Sequence, residues 1–254
     1  MAETVQIQSP HGPLRATLLM PEKKPDTGRG PAVLIGPRMP GDLLEIGRLE
    51  QELTESLRQA DFAVLICEGR DGAVHNAAQL VDEASAAFRW LLLRDGIDPD
   101  RVGLFGAGLS SITIAGLAAR SDRIARICLF SPVTAADVAT RALKPDGRAS
   151  FIDSSAVAEE FVSSLTELSP VEDLAAEDRP TLILHGAADR TVPPESSYTY
   201  VDALDRAGRQ ITCELIAHAD HDLESNELRG AGVSRIVGFF RAMARARRKS
   251  AQLA

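Results

Sequence analysis

Along this chain the spacing of apolar residues switches back and forth between the period of a strand and that of a helix, and this alternation constrains the fold more than any other feature. Short apolar runs at Pro31–Ile35, Phe62–Cys67, Arg101–Phe105, Ile124–Phe130, Thr181–Leu184 and Ile211–Ile216 suit central strands covered on both faces. Between them, Asp42–Gln59, Ala77–Leu93, Leu109–Ala119, Glu195–Ala207 and Gly232–Arg247 gather their apolar residues on one side of a helix. Thr4–Ser9 and Pro13–Met20 flank the turn signal His11-Gly12 and read as an opening antiparallel hairpin. Strands that alternate with helices pair in parallel. The expected class is therefore α/β: a mostly parallel eight-stranded sheet with helices on both faces, in a single domain over residues 1–254.

One segment breaks the rhythm. Residues 133–179 are too long for an ordinary connection and hold a polar stretch, KPDGRASFIDSS, followed by a helical run at Ala156–Leu165. Such excursions usually serve function, so this one is read as a small cap insertion over the strand ends. Pro21–Gly30 reads as a polar surface loop. The chain carries 28 Lys+Arg against 36 Asp+Glu, a net charge of −8, and only 4% aromatic residues. That balance argues against a basic groove with stacking aromatics, so no nucleic-acid partner is expected. The basic run Arg241, Arg245, Arg247, Arg248 and Lys249 suits the carboxyl end of the last helix and its dipole. The first residues, MAETVQIQSP, contain no apolar core of a signal peptide, and no run approaches the ~18 apolar residues of a membrane span. A cytoplasmic location with no membrane contact is expected. Cys67, Cys128 and Cys213 are scattered within apolar runs and read as buried free thiols. No metal-ligand spacing or dinucleotide signature stands out, so neither metal nor cofactor is expected.

In an open parallel sheet, ligands bind beyond the carboxyl ends of the strands, which directs attention to three strings. They are Gly106-Ala107-Gly108-Leu109-Ser110-Ser111, then His185 to Pro193 (HGAADRTVP), then Ala217-His218-Ala219-Asp220-His221. In that order they resemble the α/β-hydrolase superfamily, on the side of its esterase, dienelactone-hydrolase and prolyl-peptidase-like branches, over nearly the whole chain. The resemblance implies that Asp189 is the triad carboxylate, His221 the base, and His185 a structural histidine at its strand end. A carboxylate that accepts the imidazole Nδ1–H fixes the ring's tautomer and stabilises the imidazolium, so such a pair is a competent general base. His218 competes for that role, but its place nearer the strand makes it a wall residue that contacts substrate.

At the nucleophile the sequence departs from the family pattern. The superfamily's elbow reads Gly-x-Ser-x-Gly, and the aligned run here puts Gly108 where the serine belongs. No acyl-enzyme can form on a glycine, and glycine relieves the strained backbone of an elbow that needs no side chain. A shifted reading with Ser110 as nucleophile would require a small residue where Ile112 stands, and Ser111 is the other hydroxyl within reach. The oxyanion donors implied by the resemblance are the backbone N–H groups of Arg38 and Leu109, which do not depend on side-chain identity. Arg38, Arg190 and Arg70 fall at strand ends, which favours an anionic or carboxylate-bearing ligand. Three functions stay open. One is non-covalent general-base chemistry, water activation or proton abstraction, on a small acyl or carbonyl substrate. The second is an inactive pseudo-hydrolase that binds a ligand or partner. The third is a conventional serine esterase using Ser110 or Ser111. Base catalysis contributes about 10²–10⁴-fold, enough for an activated ester or an acidic C–H but weak for an amide. Composition leaves the oligomeric state open, a homodimer included.

Overall fold

The computed structural model describes residues 2–23, 25, 28–37, 47–69, 76–141 and 159–251, the side chains of 139–141, 159 and 244–251 excepted. Arg38 and Arg70 lie outside these residues, as does the polar stretch of the expected cap. Strand β1 (Ala2–Ser9) pairs antiparallel with β2 (Gly12–Leu19), which pairs antiparallel with β4 (Ala63–Gly69). From β4 onward the pairing is parallel through β3 (Gly30–Ile35), β5 (Ile97–Ala107), β6 (Ile124–Phe130), β7 (Thr181–Gly186) and β8 (Ile211–Ile216). The sheet has eight strands in the order β1-β2-β4-β3-β5-β6-β7-β8, the architecture of the α/β-hydrolase fold.

Why the central strands read as unbroken apolar runs is visible in the core. Leu34, Leu104, Ile127, Leu129 and Ile183 face one side, under α2 (Ala77–Leu92), α3 (Ser110–Ala118), α6 (Pro170–Ala176) and α7 (Glu195–Arg206). Their alternates Val33, Phe105, Cys128, Phe130, Leu182 and Leu184 face the other, under α1 (Gly47–Gln59) and α8 (Asn226–Ala251). Side chains alternate across a strand, so two apolar faces demand an uninterrupted run. Asn76 opens α2 in an extended conformation and its side chain accepts the N–H of Ala78 at 2.7 Å, a side-chain N-cap.

Several boundaries differ from expectation for local reasons. Strand β5 begins four residues early, at Ile97 instead of Arg101, because the polar stretch that hid it is internally paired: Asp98 is buried and accepts from Arg101 Nε at 2.8 Å. Helix α8 begins at Asn226, ahead of the expected Gly232, with Gly230 and Gly232 carried inside it by the packing of Leu228, Val233 and Ile236. Within 133–179 the described residues form α4 (Ala135–Arg141), α5 (Glu159–Thr166) and α6. Val138 of α4 and Phe161, Val162 and Leu165 of α5 pack with Leu109, Val133 and Val192, which follow β5, β6 and β7. Ser164 of α5 also accepts the N–H of Ala77 at 2.7 Å, which ties α5 to the start of α2.

Cys67 and Cys128 are buried; burial pushes the Cys67 thiol up to about 12 and raises that of Cys128 as well. Cys213 departs from the expectation and is only half-buried, because β8 is an edge strand. Among the described residues no helix is long and apolar enough to cross a membrane.

Candidate active site

Neighbouring strands hand the chain to one another at the carboxyl edge. The N–H of Gly108, just past β5, donates to Phe130 O at the end of β6 (3.0 Å). In turn Ser131 N–H donates to Leu184 O of β7 (2.9 Å), and Ala187 N–H to Ile216 O of β8 (2.9 Å). This staircase brings the turns after β5, β6, β7 and β8 to one rim.

Asp189 sits on the turn after β7, 6% exposed. Its Oδ1 accepts the N–H groups of Thr191 (2.9 Å) and Val192 (2.8 Å), a local turn that fixes the carboxylate plane. Its Oδ2 accepts from His221 Nδ1 at 2.6 Å. The same oxygen lies 3.2 Å from both Ser131 Oγ, which donates to it, and His185 Nε2. His185 Nε2 also donates to Val192 O at 2.9 Å, so the ring proton is shared between carbonyl and carboxylate, and Nδ1 meets Ser197 Oγ at 2.7 Å. Burial by itself would raise the Asp189 carboxyl. The hydrogen bonds from His185 and His221, the charge of His221 and the Val192 N–H outweigh it and hold the group well below the usual carboxylate range.

His221 is 3% exposed, and with Nδ1–H given to Asp189 its Nε2 carries the lone pair. That nitrogen is buried and has no hydrogen-bond partner among the described residues. The approach of the two loops depends on Gly186: a Cβ there would stand 2.5 Å from Asp220 O and 2.6 Å from Ala219 O, which are rigid backbone atoms. Only glycine lets the end of β7 touch the chain leading into His221.

Gly108 lies on the strand-to-helix turn between β5 and α3 with φ +53°, the left-handed region that glycine enters without strain. Leu109 is buried and is the N-cap residue of α3, with no side-chain cap hydrogen bond, so the first N–H groups of the helix lack a side-chain acceptor there. Ser110 is turned back on its own loop; its Oγ donates to Ala107 O (3.0 Å) and accepts from Ala107 N–H (2.9 Å). Ser111 Oγ accepts the N–H of Val133 at 3.0 Å and is fully buried. His218 is exposed at φ +62° on the turn after β8, and Arg190 is exposed beside Asp189. The structure thus brings Asp189, His185 and His221 together and leaves His218 and Arg190 facing solvent. Among the described residues no group of His, Cys, Asp and Glu side chains is arranged to hold a metal ion.

The model of the prolyl oligopeptidase family matches residues 68–247, well over half of the chain. The chain belongs to the prolyl oligopeptidase family. That span of the family covers the elbow turn, Asp189 and His221, and leaves the opening hairpin outside. Two uncharacterized proteins of Mycobacterium tuberculosis are each 26% identical over 204 residues, a match that takes in 77% of this chain and 66% of theirs. The chain thus spans just under two thirds of the length of those relatives. Among solved structures, Est1E from Butyrivibrio proteoclasticus superposes with a TM-score of 0.76 at 18% identity, covering 95% of this chain and 98% of that one. Est1E with ferulic acid bound gives 0.78 at 17% identity, over 94% of this chain and 99% of that one. The acylaminoacyl peptidase of Pyrococcus horikoshii gives 0.74 at 13% identity, over 95% of this chain but 41% of its own. At these identities the likeness is one of fold.

Two residues of this family member escaped the sequence reading. Ser131 reaches Asp189 from the turn after β6, 58 residues away along the chain, and nothing in its neighbourhood Phe130-Ser131-Pro132 announces that contact. Arg229, only 3% exposed, donates from Nη1 to the carbonyls of Leu223 (2.7 Å) and Glu224 (3.1 Å) and from Nε to Glu52 of α1 (2.7 Å). It clamps the histidine loop onto α8 and α1. An arginine inside an otherwise apolar helix face was the available signal.

Proposed function

We propose that this prolyl oligopeptidase family member is an esterase-like enzyme in which the Asp189–His221 pair acts as a non-covalent general base on a small acyl or carbonyl substrate, with Gly108 at the position where a serine nucleophile would stand. The observation that carries this reading is the buried, unpartnered Nε2 of His221. In a serine-dependent relative this nitrogen would receive a hydroxyl proton; here Ser110 donates its hydroxyl to Ala107 O, and the Ser111 hydroxyl is held between the Val133 N–H, which it accepts, and Tyr200. A lone pair held in a buried site by a carboxylate at 2.6 Å is suited to take a proton from water or from an acidic C–H. Water activated in this way attacks the substrate carbonyl, the N–H of Leu109 at the start of α3 supports the developing oxyanion, and the imidazolium returns its proton to the leaving group. Arg190, exposed beside Asp189, supports a preference for substrates that carry a carboxylate, which a salt-dependent difference in KM between anionic and neutral esters would register.

The test compares wild type, His221→Ala and Gly108→Ser on aryl esters, among them hydroxycinnamate esters of the acid seen in Est1E, together with lactones and thioesters. The reading predicts turnover in wild type that falls about 10²–10⁴-fold in His221→Ala, with no labelling by a fluorophosphonate. Gly108→Ser is expected to gain labelling and burst kinetics. Equal rates in wild type and His221→Ala on every substrate would remove the general-base reading, and fluorophosphonate labelling of wild type at Ser110 or Ser111 would replace it with a serine esterase.

A further inference from the structure

We propose that Ser131 is a positioning residue of the acid–base pair: its hydroxyl, aimed by a left-handed backbone at the end of β6, shares the Asp189 carboxylate with His221 and sets the pH at which His221 becomes a base. The inference rests on the general-base reading of His221 given above. Ser131 is fully buried, and its φ of +43° lies in the left-handed region, where a residue with a Cβ is strained. Residues kept in such backbone conformations concentrate at functional sites, where the surrounding structure over-determines them. Here the constraint is explicit. The N–H of Ser131 is held by Leu184 O at 2.9 Å, and its Oγ donates to Asp189 Oδ2 at 3.2 Å, the same oxygen that takes the His221 Nδ1–H at 2.6 Å. His218 at φ +62° and Leu223 at φ +48° flank His221 in the same conformation, so three of the four left-handed non-glycine residues among those described surround this carboxylate and its histidine.

The consequence follows from charge. A hydroxyl that donates to Oδ2 draws off part of the carboxylate charge otherwise available to the imidazolium, so it weakens the hold on the His221 proton and keeps Nε2 free at lower pH. Among the described residues the other ionisable groups about His221 are Asp189 and His185 from β7 and its turn, Asp220, Asp222 and Glu224 on its own loop, and Arg229 of α8, which donates to the carbonyls of Leu223 and Glu224 and to Glu52. All of these remain in place when the Ser131 hydroxyl alone is removed.

Two variants separate this role from a structural one. Ser131→Ala removes the hydroxyl and keeps the strained Cβ; Ser131→Gly removes both. The His221 ring is titrated by NMR in the whole protein, and the acidic limb of kcat/KM is followed on the ester that wild type turns over best. Both variants are expected to move the His221 midpoint upward by the same amount, about half a pH unit or more, with the acidic limb moving alongside it. Only Ser131→Gly should regain thermal stability relative to Ser131→Ala, because it alone relieves the backbone. An unmoved His221 midpoint in both variants overturns the proposal, as does a shift in Ser131→Ala that Ser131→Gly does not reproduce. Because the titration needs no turnover, a protein without His221-dependent activity would end the general-base reading while this measurement still decided what Ser131 does to the pair.

Discussion

At the scale of single residues, Asp189 does two jobs with two oxygens. Oδ1 closes its own turn through Thr191 and Val192, and Oδ2 gathers donors from three other segments. The local job is the ordinary one of an aspartate after a strand; the convergent one makes the site. Because these donors hold the folded-state carboxyl below its unfolded value of about 3.9, Asp189 contributes stability at all pH above that value, and the contribution is lost as pH falls through the folded pKa. The expected outcome is an acid-unfolding limb that begins below about pH 4 and is flatter in Asp189→Asn, measured as urea midpoints across that range. Identical limbs in the two proteins would show that the carboxylate titrates alike in both states. The positions of Asp189 and His221 were legible in the sequence because each is carried by a short local string. Ser131 was not, since its partner lies 58 residues away, and the occupation of Ser110 and Ser111 by Ala107 and Val133 was equally hidden.

At the scale of elements, the site depends on how closely the loop after β7 packs against the loop after β8. Gly186 permits that contact, with Ala219 and Asp220 carbonyls where its Cβ would be, and Arg229 holds the far side of the histidine loop through Leu223 and Glu224. Gly186→Ala is expected to lower unfolding free energy by about 1–3 kcal/mol by overpacking, and to reduce His221-dependent turnover by more than its stability loss explains. Chemical denaturation at fixed temperature and kcat on the folded fraction check the two effects separately. A variant as stable and active as wild type would mean that the two loops have room to part. The helices of the 133–179 segment show how far periodicity reaches: α5 was expected from its apolar spacing, whereas α4 and α6, each of seven residues, are too short for a period to register.

At the scale of the whole molecule, burial grades from the centre of the sheet to its edges. Every residue of β3 and β7 is buried, whereas β8 has exposed and half-buried positions and β1 keeps exposed residues along its length. Native-state hydrogen exchange should therefore rank amides of β3, β5, β6 and β7 slowest and those of β1 and β8 fastest, so that the scaffold beneath Gly108, Ser131 and Asp189 opens last. Faster exchange in β7 than in β8 would reverse that order. What the sequence alone determined is the alternation of strand and helix, the two-faced burial of the central strands and the two short strings that carry Asp189 and His221. Each of these is written in residues adjacent in the chain, where apolar period and motif spacing act. Only the tertiary structure decided which donors meet on Asp189 Oδ2, which serines are already engaged, and that His221 keeps a buried nitrogen with no partner among the described residues. Those outcomes depend on distances between turns on four different strands, and such distances are set by strand order and register, which no local string encodes.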